Sequence, residues 1–109
     1  MAYNEKLADR IRAELGQLAG LSEKKMFGGL SFLLNGNMCC GVHGEEMIVR
    51  LAPDQTEAAL SKQYTRIFDM TGRPMKGWIL VHQDGLKTKT ELMEWIQLGV
   101  EYASSLPAK

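Results

Sequence analysis

Asn35-Gly36 lies between two apolar runs, Leu30–Leu34 and Met38–Val42. Asn-Gly is the favoured pair for a two-residue type I′ connection, because both central residues need positive φ. The spacing therefore predicts a tight hairpin. His43-Gly44-Glu45 makes a second turn, and Met47–Leu51 reads as the next strand, with Met47, Val49 and Leu51 alternating with Ile48 and Arg50. Upstream, Lys24–Phe27 is a short strand candidate and Gly28-Gly29 reads as a bulge or tight turn. Connections this short leave no room for a parallel crossover, so the middle of the chain is an antiparallel meander.

Helices flank that meander. Leu7, Ile11, Leu15 and Leu18 fall on one helical face, with Asn4 as N-cap, Glu5 and Asp9 near the positive end, and Gly20 as the C-terminal cap. After Pro53, the residues Asp54-Gln55-Thr56-Glu57 read as a capping box opening a short helix, Glu57–Gln63. Arg66–Met70 and Gly77–His82 are two further strand candidates, parted by the turn-rich Thr71-Gly72-Arg73-Pro74. The last helix has the plainest signal. Thr88 to Glu91 is a capping box, and Leu92, Trp95, Ile96, Gly99, Tyr102, Ala103 and Leu106 mark one face before Pro107 stops it. Leu7, Ile11, Leu15 and Leu18 should be buried against the sheet together with Trp95, Ile96 and Tyr102. The order predicts an α+β domain, α-β(3-4)-α-β(2)-α, with a single antiparallel sheet and helices packed on it. A length of 109 residues holds one core of ordinary size, so residues 1–109 form one domain.

Charge and composition narrow the function classes. Thirteen basic and thirteen acidic side chains cancel, which argues against a dedicated nucleic-acid binder. The balance is uneven, however: Lys62, Arg66, Arg73, Lys76, Lys87 and Lys89 face only Asp69 and Asp84 within their span. No apolar run reaches the roughly 18 residues of a membrane span, and the charged start MAYNEKLADR lacks the apolar core of a signal peptide. A cytoplasmic location is the expectation.

Cys39 and Cys40 are adjacent, and strand alternation would send one toward the core and one away. A thiol enzyme or redox sensor would need a base, and His43 and His82 are the two histidines available. His43 lies roughly 10 Å away along an extended strand, and His82 belongs to a different strand. A packing role for at least one thiol is favoured. Two cysteines without a Cys-x-x-Cys exclude a structural zinc site on ligand count, and no cofactor is expected. Gly28-Gly29 is followed by a strand pattern, whereas a phosphate-cradling loop opens a helix. The pairs Glu45-Glu46 and Glu91/Glu94 read as solvated rather than catalytic. Met26, Met38, Met47, Met70, Met75 and Met93 exceed what so small a core needs, and methionine-rich surfaces adapt to partners.

The stretch FDMTGRPMKGW carries charge that packing does not explain. Gly72, Pro74 and Gly77 shape a loop from which Arg73 and Lys76 emerge beside Trp78. Arg73, Lys76 and Trp78 are therefore the candidate binding residues.

MFGGLSFLLNGNMCCGV, FDMTGRPMKGW and a terminal helix containing LMEWI together resemble the N-terminal domain of the TfoX/Sxy family, from Lys6 to about Leu106. The resemblance implies an α-β(3)-α-β(2)-α fold similar to that of type III secretion chaperones. It also implies no enzymatic activity. Longer members regulate natural competence in bacteria, acting with the cyclic-AMP receptor protein at particular promoters, and carry a second, C-terminal domain beyond the region that this resemblance covers. A stand-alone regulatory or protein-interaction domain is thus expected. Its partner is expected to be a protein, with a second copy of the chain and a weak nucleic-acid contact as alternatives and no membrane.

Overall fold

The computed structural model describes residues 3–16, 18–26, 28–69 and 76–108. Helix α1 (Glu5–Leu15) is followed by strands β1 (Leu21–Met26), β2 (Gly29–Leu34), β3 (Asn37–His43) and β4 (Glu46–Arg50). A 3₁₀ turn (Pro53–Gln55), helix α2 (Thr56–Leu60), strands β5 (Thr65–Ile67) and β6 (Trp78–Val81), a second 3₁₀ turn (Gln83–Gly85) and helix α3 (Lys89–Ser105) complete the order. The strands form one antiparallel sheet in the order β1-β2-β3-β4-β6-β5. The α+β architecture expected from the sequence is the one observed.

Local chemistry sets the element ends. The side chain of Asn4 accepts a hydrogen bond from the Leu7 amide and caps α1, as expected. The other end differs: α1 stops at Gly16, whose φ of 61° suits glycine, and not at Gly20. The helical stripe consequently ends one turn early, and Leu18 is 41% exposed while Leu7, Ile11 and Leu15 are buried. Asn35 and Gly36 have φ of 53° and 84° and join Leu34 directly to its partner Asn37, the two-residue hairpin that the pair dictates. Met26 pairs with Gly29, so the first hairpin is equally tight, with Gly28 at φ 73° in its turn.

Thr88 and Glu91 form a reciprocal capping box on α3. Asp54 and Glu57 do not form one on α2. Pro53–Gln55 instead turns as a 3₁₀ segment, and Thr56 bridges two backbone groups. Its hydroxyl donates to the Pro53 carbonyl (2.8 Å) and accepts from the Gly77 amide (2.8 Å).

The sheet has two apolar faces. On one, Leu30, Phe32, Val42, Met47, Val49, Ile79 and Val81 pack with Leu7, Ile11 and Leu15 of α1 and with Leu92, Trp95 and Ile96 of α3. On the other, Met38, Ile48, Phe68 and Leu80 form a smaller cluster, with Leu33 and Trp78 against it. Tyr102, expected in the core, is only half-buried. Among the described residues, no helix is long and apolar enough to cross a membrane.

Candidate functional site

The two cysteines break the strand alternation. Phe32 pairs with Cys40 and Leu33 with Met38, so Cys39 is an extra residue on β3, a β-bulge. Met38 points to the smaller cluster, whereas Cys39 and Cys40 both enter the main core. Both thiols are sealed from solvent, with Sγ atoms 3.8 Å apart and the Cys39 thiol directed at the Phe32 carbonyl (3.5 Å). Contact with Cys39 and burial push the Cys40 thiol well above the ordinary cysteine range. The expectation that one would point away is overturned by the bulge.

Nor does the fold bring a base to them. His82 sits at an exposed edge, its Nδ1 accepting from the Asp84 amide (3.1 Å), in a groove shared with Glu46, Tyr64, Thr65, Arg66 and Asp84. Among the described residues, no group of three or more His, Cys, Asp or Glu could hold a metal ion. Glu46 is engaged by Arg66 and Glu91 by the α3 cap. Of the methionines, Met38 and Met47 fill the core and Met93 is exposed in an open groove of about 530 Å³ along α3.

The cations of the Lys62–Lys89 span do not gather. Arg66 pairs with Glu46 and Asp69, Lys87 with Asp84, and Lys89 with Glu14, while Lys62 lies 5.0 Å above the Trp95 ring. Arg73, with Gly72 and Pro74, lies outside the described residues. Lys76 is exposed and has no ion-pair partner among them.

Two residues after Lys76, Trp78 takes part in a cation–aromatic arrangement at the end of the sheet. Strand β4 ends at Arg50 directly opposite Trp78, the first residue of β6. The guanidinium carbon of Arg50 lies 5.1 Å from the Trp78 ring centroid and 5.4 Å from that of Tyr102 on α3. Two aromatic rings therefore hold one arginine. Trp78 is itself braced: Phe68 meets it edge-on at 5.9 Å, and the Phe68 amide donates to the Trp78 carbonyl (3.0 Å). The Leu51 amide donates to the Gly77 carbonyl (2.8 Å), and Gly77 is fixed in turn by Thr56.

What distinguishes Arg50 is what it lacks. Arg10 donates to the Leu86 carbonyl, Arg12 to Asp9 and Glu23, and Arg66 to Glu46. Among the described arginines, Arg50 alone donates to no protein oxygen. Of the sequence candidates, Lys76 and Trp78 thus fall at this end of the sheet and Cys39 and Cys40 in the core. Sequence reasoning does not find Arg50 and Tyr102 as a pair. The polar position in the Met47–Leu51 alternation is visible, but its aromatic partners depend on the strand order and on where α3 lies.

No curated protein and no solved structure matches the chain. The family model described as the TfoX N-terminal domain matches residues 13–103, which include Cys39, Arg50, Trp78 and Tyr102. The chain therefore belongs to the TfoX N-terminal domain family.

Proposed function

We propose that this chain is a non-enzymatic regulatory domain of the cytoplasm that acts by binding a protein partner through the Arg50–Trp78–Tyr102 end of its sheet. A role in transcriptional regulation, as in longer family members that control competence, fits such a domain. The observation that carries the reading is the arginine held by two aromatic rings with its N–H donors bonded to no oxygen among the described residues. Arginine and aromatic side chains are enriched at the centres of protein interfaces. A braced side chain also loses little conformational entropy on binding. Thiols sealed from solvent support a binding role over a thiol-based catalytic one.

The nucleic-acid reading has less support, since Lys62, Arg66, Lys87 and Lys89 are held by acidic or aromatic neighbours. A polyanion needs several free cations in a row. The test is capture from cell extract by immobilised chain, with and without nuclease. Retention of a protein after nuclease treatment, lost in Arg50→Gln, is the expected result. Capture abolished by nuclease would transfer the role to nucleic acid.

A further inference from the structure

Resting on that reading, we infer that the Arg50 platform is a receptor for carboxylate side chains in an acidic segment of the partner. A guanidinium carries five N–H donors in a rigid fork that matches a carboxylate edge to edge. Each other described arginine meets at least one protein oxygen: Arg12 donates to carboxylates through three nitrogens and Arg66 through two. The Arg50 guanidinium has its two ring contacts and no hydrogen bond or ion pair among the described residues. The residue as a whole is half-buried, and none of its nitrogens is a buried atom without a partner, so the rings hold the fork while its donors reach solvent and are not met from within the described chain.

The charge arrangement selects the ligand. Lys76, two residues before Trp78, adds an exposed cation without an ion-pair partner among the described residues. Two such cations suit one or two carboxylates. They are too few for the continuous phosphate track of a nucleic acid, whose binding scales with the number of phosphates neutralised. Tyr102, half-buried, also offers apolar ring surface to the aliphatic stem of a glutamate, which a bare inorganic anion cannot use. Glutamate side chains in a peptide segment are the chemistry that satisfies the fork, the second cation and this ring together.

The rigidity of the platform comes from elsewhere in the fold. Thr56 pins Gly77, Gly77 pins Leu51, and Phe68 backs Trp78. Arg50 is thereby presented at a fixed place before any ligand arrives, which lowers the cost of docking.

The experiment is an NMR titration of the ¹⁵N-labelled chain with an acetylated, amidated peptide of alternating Gly and Glu. A Gly/Gln peptide, inorganic phosphate, a thymidine oligonucleotide and a Gly/Ala peptide with a free C-terminus serve as the comparison arms. The Arg50 Nε–H and Trp78 indole N–H signals should shift and saturate with the Glu peptide and stay put with the Gln peptide. Arg50→Gln should weaken binding at least tenfold, and Arg50→Lys should weaken it less, because it keeps the charge but not the fork. Trp78→Phe retains a ring and should cost only a few-fold, a check available if Arg50→Gln melts early. Equal affinity of Arg50→Gln, shifts centred instead on Lys24 and Lys25, or tighter binding of phosphate, oligonucleotide or the free C-terminus would overturn the inference. If the Glu peptide fails while nuclease-resistant, Arg50-dependent capture persists, the carboxylate assignment falls and the protein-binding role stands.

Discussion

Two places on this sheet carry unusual side-chain arrangements, a bulge and a ring-held arginine, and they do so to opposite ends. At the bulge, Cys39 and Cys40 turn into the core together and Gly99 of α3 lies against the Cys39 carbonyl. At the far end of β4, Arg50 is held by rings but donates to no oxygen among the described residues. The first irregularity is closed: the thiols are packed, in sulfur–sulfur contact and shut off from water. The second is open, with polar capacity in a fixed position. An unusual residue pair therefore indicates function only when its chemistry is left unsatisfied by the fold. By that criterion the cysteine hairpin is a packing device and the Arg50 end is the surface proposed for binding.

The sharpest way to break this contrast is Gly99→Ala. Helix propensity alone predicts a gain of roughly 1 kcal/mol, because glycine is poor in a helix interior. The packing predicts the reverse. A Cβ at Gly99 would collide with the backbone carbonyl of Cys39, which is no flexible side-chain tip. The helix must lift from the bulge, at a cost of roughly 3 kcal/mol, the upper part of the range for overpacked cores. Urea unfolding measures the sign. Thiol labelling gives a second readout: Cys39 and Cys40 of the native wild type should resist alkylation at neutral pH, and the variant should label faster. A stabilised variant would show that the seam is loose and that the thiols are not sealed by α3.

Parts of this fold are written locally and parts are not. Asn35-Gly36 and the Thr88–Glu91 box are legible because each is completed within four residues. Leu18 is misplaced by its spacing because Gly16 and Gly20 both offer a helix stop, and the leucine pattern does not decide between them. The Asp54–Glu57 box does not form: Pro53–Gln55 turns as a 3₁₀ segment, and Thr56 is engaged by Gly77, twenty-one residues away. The bulge at Cys39 is a register shift between two strands, and no alternation within β3 reveals it. Arg50 is the extreme case. Its setting needs β4 beside β6 and α3 across the strand end, so only tertiary structure makes it a site.

Thr56 tests whether the open end is truly braced. Thr56→Val keeps the shape but leaves the buried Gly77 amide without its acceptor and removes the bond to Pro53. Loss of a partner for a buried donor costs about 1–3 kcal/mol, so a loss near 2 kcal/mol is expected. The consequence should be uneven. Hydrogen exchange at Gly77 should accelerate more than at Cys40, and the Trp78 indole signal should broaden or shift. Uniform acceleration across the sheet would mean that Thr56 supports the whole fold and not the platform.

The smallest effect comes from an arginine of the opposite kind. Arg12 forks onto Glu23 through Nε (2.6 Å) and Nη2 (2.9 Å), joining α1 to β1. The hydrogen bonds from Arg12 hold the Glu23 carboxyl below the usual glutamate range. Because the folded chain releases this proton more readily than the unfolded one, the pair stabilises the fold above the unfolded value, about pH 4.3. That contribution disappears as pH falls through the lower, folded value. Both side chains are more than one-third exposed, so solvent screens them and the contribution should stay under about 1 kcal/mol. Glu23→Gln should thus lower stability slightly at pH 7, with the difference from wild type vanishing in acid. If instead it costs more than about 2 kcal/mol, well beyond what an exposed pair contributes, arginine pairing is a major source of stability in this fold. The unmet donors of Arg50 would then mark a structural weakness, and the case for a binding site there would have to rest on its rings alone.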